Sequence, residues 1–270
     1  MNLQDYERKR QKKNINKREE RIRSEINEIK KELLQIEKDI TSLKEVTKEV
    51  EKLGINSMKY YDIGDRVLFG NYRWDEDGTV HPIEWKILKK EENKVLLLSK
   101  YILDVKPYNK KEEKVTWETS SIRRWLNYWF YRIAFNETER KKIEKMLVKA
   151  EDNHECRTSA GNDTMDRIFL LSINEVKKLL PTDESRQAKG SEYAEMKGLY
   201  AKTEQSIEDD DFCCSIVFIK REAEWHLRSP GIRENKNARV TFEGGINRLG
   251  DSVADDCIGV RPALWMNLEK

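Results

Sequence analysis

The chain has 270 residues, 38% of them charged, and its 52 lysines and arginines nearly cancel its 50 aspartates and glutamates to leave a formal net charge of +2. That balance gives no general reason to expect nucleic acid as a partner, and 7 Trp, 10 Tyr and 7 Phe exceed what a disordered chain carries. No apolar run is long enough to span a bilayer, the N-terminus lacks the apolar stretch of a signal peptide, and Cys156, Cys213, Cys214 and Cys257 make no disulfide framework, so a reducing, cytoplasmic compartment is expected.

The chain begins with a basic tip. Up to Arg21 it holds eight basic and four acidic side chains, read as a solvated helix end or a weak anchor for an acidic partner. From there apolar residues fall at Ile22, Ile26, Ile29, Leu33, Ile36, Ile40 and Leu43, in steps alternating between four and three. That alternation is the seam of a left-handed coiled coil, with Ile26, Leu33 and Ile40 at a and Ile22, Ile29, Ile36 and Leu43 at d. The pattern slips after Leu43 to Val46, Val50 and Leu53, and Gly54 is expected to stop the helix. Between neighbouring helices Glu25 can meet Lys30 and Asp39 can meet Lys44, whereas Glu32 against Glu37 is a like-charge pair. Isoleucine at d disfavours the parallel dimer, so a homo-oligomer through residues 22–53, a trimer or tetramer, is expected. The competing reading is a long helix packed on its own domain.

Residues 55–66 read as a linker, and 67–270 as one globular domain of strands and helices. RVLFGNYRW is a strand, DEDG a turn, and HPIEWKILKKEENKVLLLSK a hairpin whose Leu96, Leu97 and Leu98 are buried on both faces. Thr119 or Ser120 caps a helix presenting Ile122, Trp125, Leu126, Trp129 and Ile133 on one face. Trp125 and Trp129 are a stacking platform or core, and helical spacing with Ile and Leu assigns them to core. Asn136 caps a second helix that carries Ile143, Met146 and Leu147. IFLLSINEVKKLL is a strand, a Ser/Asn turn and a helix ending at Pro181, and residues 182–211 are a polar loop closing on Glu208, Asp209, Asp210 and Asp211. Strands come next in CCSIVFIKREAEWHLRSPG and ARVTFEGGINRLGDSV, with Gly244 and Gly245 at a tight connection. IGVRPALWMNL closes the chain as a strand in which Pro262 implies an edge or a bulge.

No local signature of catalysis is present. His154, Glu155 and Cys156 are adjacent potential ligands without a matching second half, so no metal is expected. The acid run lacks the alternation and glycine of a calcium loop. There is no G-x-S-x-G, no P-loop and no G-x-G-x-x-G, and Cys213 and Cys214 lack the C-x-x-C spacing of a redox pair. No cofactor is expected, and the enzyme reading rests on a site assembled only in the fold.

The strings WHLRSPG, ARVTFEGGINRLGDSV and IGVRPALW, with the upstream IEWKIL, LLLSKYILDVKPYN, TWETSSIRRWLN and FLLSINE, resemble an uncharacterised bacterial family, domain of unknown function 6273, from about Val67 to Leu268. The closing segment is also similar to C-type lectin-like domains of the formylglycine-generating-enzyme type, through Trp225 to Arg228 and Gly259 to Arg261. The catalytic cysteines of those enzymes have no matching pair here. The fold class expected is α+β: an N-terminal coiled-coil helix read from the apolar spacing (residues 1–54 with the tip), followed by what the resemblance implies, a C-type lectin-like mixed α/β domain. Its loop-rich face is expected to bind a protein or glycan without catalysis. On that face the candidates are the polar residues between the last strands, Asn235, Asn237, Arg239, Asn247, Arg248, Asp251 and Asp255. Trp225 and Trp265 are expected in the core, and at least one of Arg228 and Arg261 is expected to be buried and hydrogen-bonded.

Overall fold

The computed structural model describes residues 3–52, 61–199 and 222–269, with side chains of the first segment described at 18 and 21–45. The chain divides into two compact units, Met1–Lys59 and Tyr60–Lys270. The expectations placed on Gly54, Cys213, Cys214 and the acid run Glu208 to Asp211 lie outside the described residues.

The first unit is one helix, α1 (Leu3–Lys52). Its described side chains are polar and charged except for Leu34 and the row at the expected seam positions, whose members from Ile22 to Leu43 are all exposed, between 45% and 65%. Arg21 pairs with Glu25 and Gln35 with Asp39 one turn on, contacts that support the helix from its own surface. Among the described residues no helix is long and apolar enough to cross a membrane.

The second unit is mixed α and β. The strands β1 (Arg66–Arg73), β2 (Val80–Glu91) and β3 (Lys94–Ser99) form an antiparallel meander joined by the DEDG turn and a two-residue turn. The last strand, β12 (Ala263–Asn267), pairs antiparallel with β3 and completes a five-stranded sheet with β7 (Ile168–Phe169), in the order β1-β2-β3-β12-β7. Leu97 and Leu98 are fully buried there and Leu96 nearly so, as a strand covered on both faces requires. A second sheet has the order β10-β9-β8-β11-β4. Its members are β4 (Asp104–Val105), β8 (Trp225–Pro230), β9 (Lys236–Val240), β10 (Ile246–Ser252) and β11 (Gly259–Val260).

Pro262 is not on an edge strand. It stands between β11 and β12, where the chain leaves one sheet for the other, so its missing N–H interrupts no ladder. Gly259 in β11 admits no side chain, because a Cβ there would lie 2.5 Å from Ile102 and 2.8 Å from the Glu224 carbonyl. Gly244, in the β9–β10 connection, has φ +86, and an added Cβ would sit 1.9 Å from the Asp183 carbonyl oxygen. Gly244→Ala is therefore expected to destabilise by about 2 kcal/mol, through the left-handed φ and the displaced backbone, read as a lower denaturant midpoint.

The helices follow their caps. Ser120 caps α2 (Ser121–Trp125), Asn136 and Glu139 form a capping box on α4 (Glu137–Lys142), and Ser172 and Glu175 do so on α5 (Ile173–Leu179). Two expectations fail between them. After α2 the backbone widens into a π turn (Leu126–Phe130) before α3 (Tyr131–Ala134). The extra residue in the turn rotates the side chains beyond it around the helix axis, so the buried stripe is Ile122, Leu126, Phe130 and Ala134. Trp129 and Ile133, expected in the core, are exposed, and Trp125 is half-buried. The helix capped by Asn136 also stops at Lys142. Met146 and Leu147 belong to β5 (Met146–Val148), paired with β6 (Thr164–Asp166). The stretch expected as polar loop after Pro181 carries two short helices, α6 (Asp183–Arg186) and α7 (Glu192–Met196), which bury Arg186, Tyr193 and Ala194.

Candidate functional site

The β9–β10 hairpin positions most of the candidate residues. His226 on β8 faces Arg239 on β9, and Asn247 on β10 faces Arg239 from the other side. The Arg239 guanidinium is mostly buried and meets three carboxylates: Glu224 at 2.7 Å, Asp255 at 3.7 Å, and Asp251. Burial pushes the Glu224 carboxyl above the usual carboxylate range; Arg239 pulls it back, while Asp251 and Asp255 add to the rise. Asp255 is raised by burial in the same way. Asn247 donates to Asp251 at 2.9 Å and accepts the Gly250 N–H at 3.0 Å, which fixes the bend in β10. Arg239, Asn247, Asp251 and Asp255 thus converge, but on one another, and the guanidinium fork is occupied from within the protein.

Asn237 does not belong to a loop face. It is 3% exposed and donates to His226 Nδ1 at 2.9 Å and to the Ala238 carbonyl at 3.0 Å. Both faces of β9 are covered at this point, so Asn237 is buried on the Arg239 face, and its amide must be satisfied by neighbours. Its role is to hold the buried His226, whose other ring nitrogen donates to the Lys106 carbonyl at 3.0 Å.

The remaining two candidates, Asn235 and Arg248, border an open depression of about 740 Å³, lined by residues 112–114, 156–159 and 232–235. Asn235 lines it and donates to Glu112 at 3.3 Å. Arg248 stands behind one wall. Its guanidinium pairs with Glu155, and its carbonyl accepts the Asn153 amide at 2.9 Å and the Cys156 thiol at 3.7 Å. That wall is a closed turn: Asn153 N–H donates to the Thr158 carbonyl at 2.9 Å, and Cys156 N–H to the Asn153 carbonyl at 3.1 Å. Closing the turn forces Arg157 to φ 56, an uncommon conformation for a side chain of its size. Lys114 and Glu234 pair across the rim at 2.7 Å.

The lining carries Glu112, Glu113 and Glu234 against Lys114, Arg157 and Arg233, so neither sign prevails. Ile232, 48% exposed, supplies an apolar surface beside the Thr158 and Ser159 hydroxyls and the Asn235 amide. Such a lining suits a neutral, hydroxyl- or amide-rich ligand held by many polar contacts. It offers little to covalent chemistry. The Cys156 thiol in the lining donates to the Arg248 carbonyl; outside the depression, burial with Asp255 nearby pushes the Cys257 thiol up, away from the reactive thiolate. Among the described residues no group of three or more His, Cys, Asp or Glu could hold a metal.

Sequence reasoning missed Glu224, Glu112 and the 153–158 turn. Glu224 was legible only through register: it precedes β8, and pairing Trp225 with Val240 brings it to Arg239. Of the motif residues, Trp225 is fully buried, but Trp265 is half-buried, with the Lys89 and Lys94 ammonium groups over its ring at 5.6 and 5.3 Å. Arg228 and Arg261 are both buried and hydrogen-bonded, as expected. Among the described residues the Arg261 guanidinium donates to carbonyls, those of Ser99, Arg186 and Lys100.

The model of one family, described as Domain of unknown function (DUF6273), matches residues 92–268. The matched region holds the depression, the hairpin and the buried Arg186, Arg228 and Arg261. It starts later than the Val67 that the motifs suggested, leaving IEWKIL outside. No curated protein and no solved structure matches the chain.

Proposed function

We propose that this chain, which belongs to the DUF6273 family, is a non-catalytic ligand-binding module multimerised through its N-terminal helix as a coiled-coil stalk. One observation carries the reading. The seam of α1 is an unbroken row of isoleucines and leucines, every one exposed in the single chain, at the spacing that pairs helices with helices. Residues 22–53 would make a rod roughly 48 Å long. Several copies of a weak site on one rod gain avidity by effective concentration.

The ligand proposed is a glycan or an extended peptide in the depression beside Asn235, with Ile232 as its apolar contact. The C-type lectin-like resemblance is part of this reading. Support comes from the two strings that carry it: Gly259 stands in register with Trp225, and the Arg261 guanidinium lies 5.0 Å from the Trp225 ring centroid. A cytoplasmic location is proposed from the cysteine usage.

The test is a glycan and peptide array probed with the full chain and with a variant carrying Ile29→Asp and Ile36→Asp. The full chain is expected to be retained about a hundredfold more strongly. Equal weak binding by both removes the avidity argument. A second reading, a scaffold whose helix pairs with a different protein, is favoured by the Glu32–Glu37 like-charge contact that a homotypic parallel seam would contain. It predicts a chain that stays monomeric alone and recruits a partner through α1.

A further inference from the structure

A π turn is rare, changes which side chains face outward, and is frequent at functional sites. Between α2 and α3 it leaves Tyr128, Trp129 and Ile133 on the surface, 46%, 59% and 55% exposed. Tyr128 and Trp129 meet edge to face, with ring centroids 5.3 Å apart and planes at 87°. The Arg132 guanidinium lies 4.2 Å from the Tyr128 ring centroid.

Basic side chains predominate around these rings. From Ser121 to Ala134 the chain holds Arg123, Arg124 and Arg132 and no acid. Arg123 is held by Asp166 at 2.8 Å, whereas Arg124 and Arg132 are exposed. At Tyr131 the surface opens into a groove of about 390 Å³, where Arg140, Lys141, Lys145 and Arg167 outnumber Glu137 and Glu144. Glu137 is itself near Lys141 at 3.8 Å, and Glu144 accepts the Asn267 amide at 2.7 Å.

We propose that this face docks an acidic protein segment bearing an apolar anchor residue. Tryptophan, tyrosine and arginine are the side chains that dominate binding energy at protein interfaces, and here they adjoin an isoleucine. The surrounding positive charge complements a negative partner and repels a basic one. The same geometry disfavours single-stranded nucleic acid. Arg132 covers one face of Tyr128, and the perpendicular Tyr128–Trp129 pair offers no parallel platform for successive bases.

The test is fluorescence anisotropy on the full chain with a short labelled peptide of aspartates interrupted by leucine and phenylalanine. A lysine-for-aspartate version and an oligothymidylate are titrated beside it. The acidic peptide binds and the lysine version does not. Trp129→Ala weakens the acidic peptide about thirtyfold, the size of a hot-spot truncation. Arg132→Glu weakens it too and admits the lysine version. Both side chains are exposed, and unchanged far-UV circular dichroism verifies that the variants fold. Failure of the acidic peptide to bind, or binding indifferent to both substitutions, overturns the proposal. So does an oligothymidylate that binds more tightly than the peptide and is lost with Trp129→Ala.

Discussion

Arg228→Met is expected to lower folding stability by about 3 kcal/mol, the cost of breaking a buried ion pair from one side. The Arg228 guanidinium donates to the Leu170 carbonyl at 2.9 Å, the Lys149 carbonyl at 3.2 and 3.3 Å, and both oxygens of Glu175. Glu175 also closes the capping box of α5, so the Arg228 side chain ties β8 to α5 and to the chain leaving β7. Methionine fills much of the volume but leaves those carbonyls without donors in the interior. Lysine fails as well, because a single ammonium cannot reproduce the planar fork. Equilibrium urea unfolding checks this, with Glu175→Gln as comparison. Glu175 is partly exposed, so its loss is expected to cost less. A midpoint unchanged by Arg228→Met would show that the guanidinium network contributes nothing.

The second large effect is a pH dependence set by His226. Burial, opposed by its hydrogen bond to Lys106 and reinforced by the Arg239 charge, lowers the imidazole to about 4 from an ordinary 6.5. Its Nε2–H donates to the Lys106 carbonyl and its Nδ1 accepts from Asn237, so a second ring proton would meet a donor. The unfolded chain therefore takes up a proton as pH falls through 6.5, while the folded chain does not until about 4. Stability is full above 6.5 and is lost between those values, by about 3 kcal/mol in all. Glu224 and Asp255, both raised, act in the opposite sense, so the comparison must be between variants. His226→Gln is expected to flatten the acid limb of urea midpoints by that amount. Parallel acid limbs in the two proteins would mean that His226 is not neutral in the fold.

Local rules carried far in this sequence. The β1–β2–β3 meander was legible because turn residues and alternation agree. The starts of α2 and α4 were legible because Ser120 and Asn136 each offer an oxygen to an otherwise unpaired N–H, and the Ser/Asn turn marked the start of α5. The errors come where a long-range partner decides. Ile122, Trp125, Leu126, Trp129 and Ile133 fit a regular helix, and only a π turn, which periodicity does not encode, moves Phe130 inward and Trp129 outward. Met146 is apolar at helical spacing, yet it forms a strand because β6, distant in the chain, pairs with it. The candidate face was partly legible. Polar residues between the last strands mark the right region, but Arg239 and Asn237 are taken by Glu224 and His226, contacts set by register across β8 and β9. The depression lay hidden because its walls come from three segments far apart in the chain.

The multivalent binding proposed above requires α1 to assemble as a stalk. Light scattering after size exclusion, on the full chain and on the variant with Ile29→Asp and Ile36→Asp, tests it most directly. The full chain is predicted to be a trimer or tetramer and the variant a monomer. A full chain that is monomeric, with the same mass as the variant, would contradict self-assembly through α1 and with it the multivalent module.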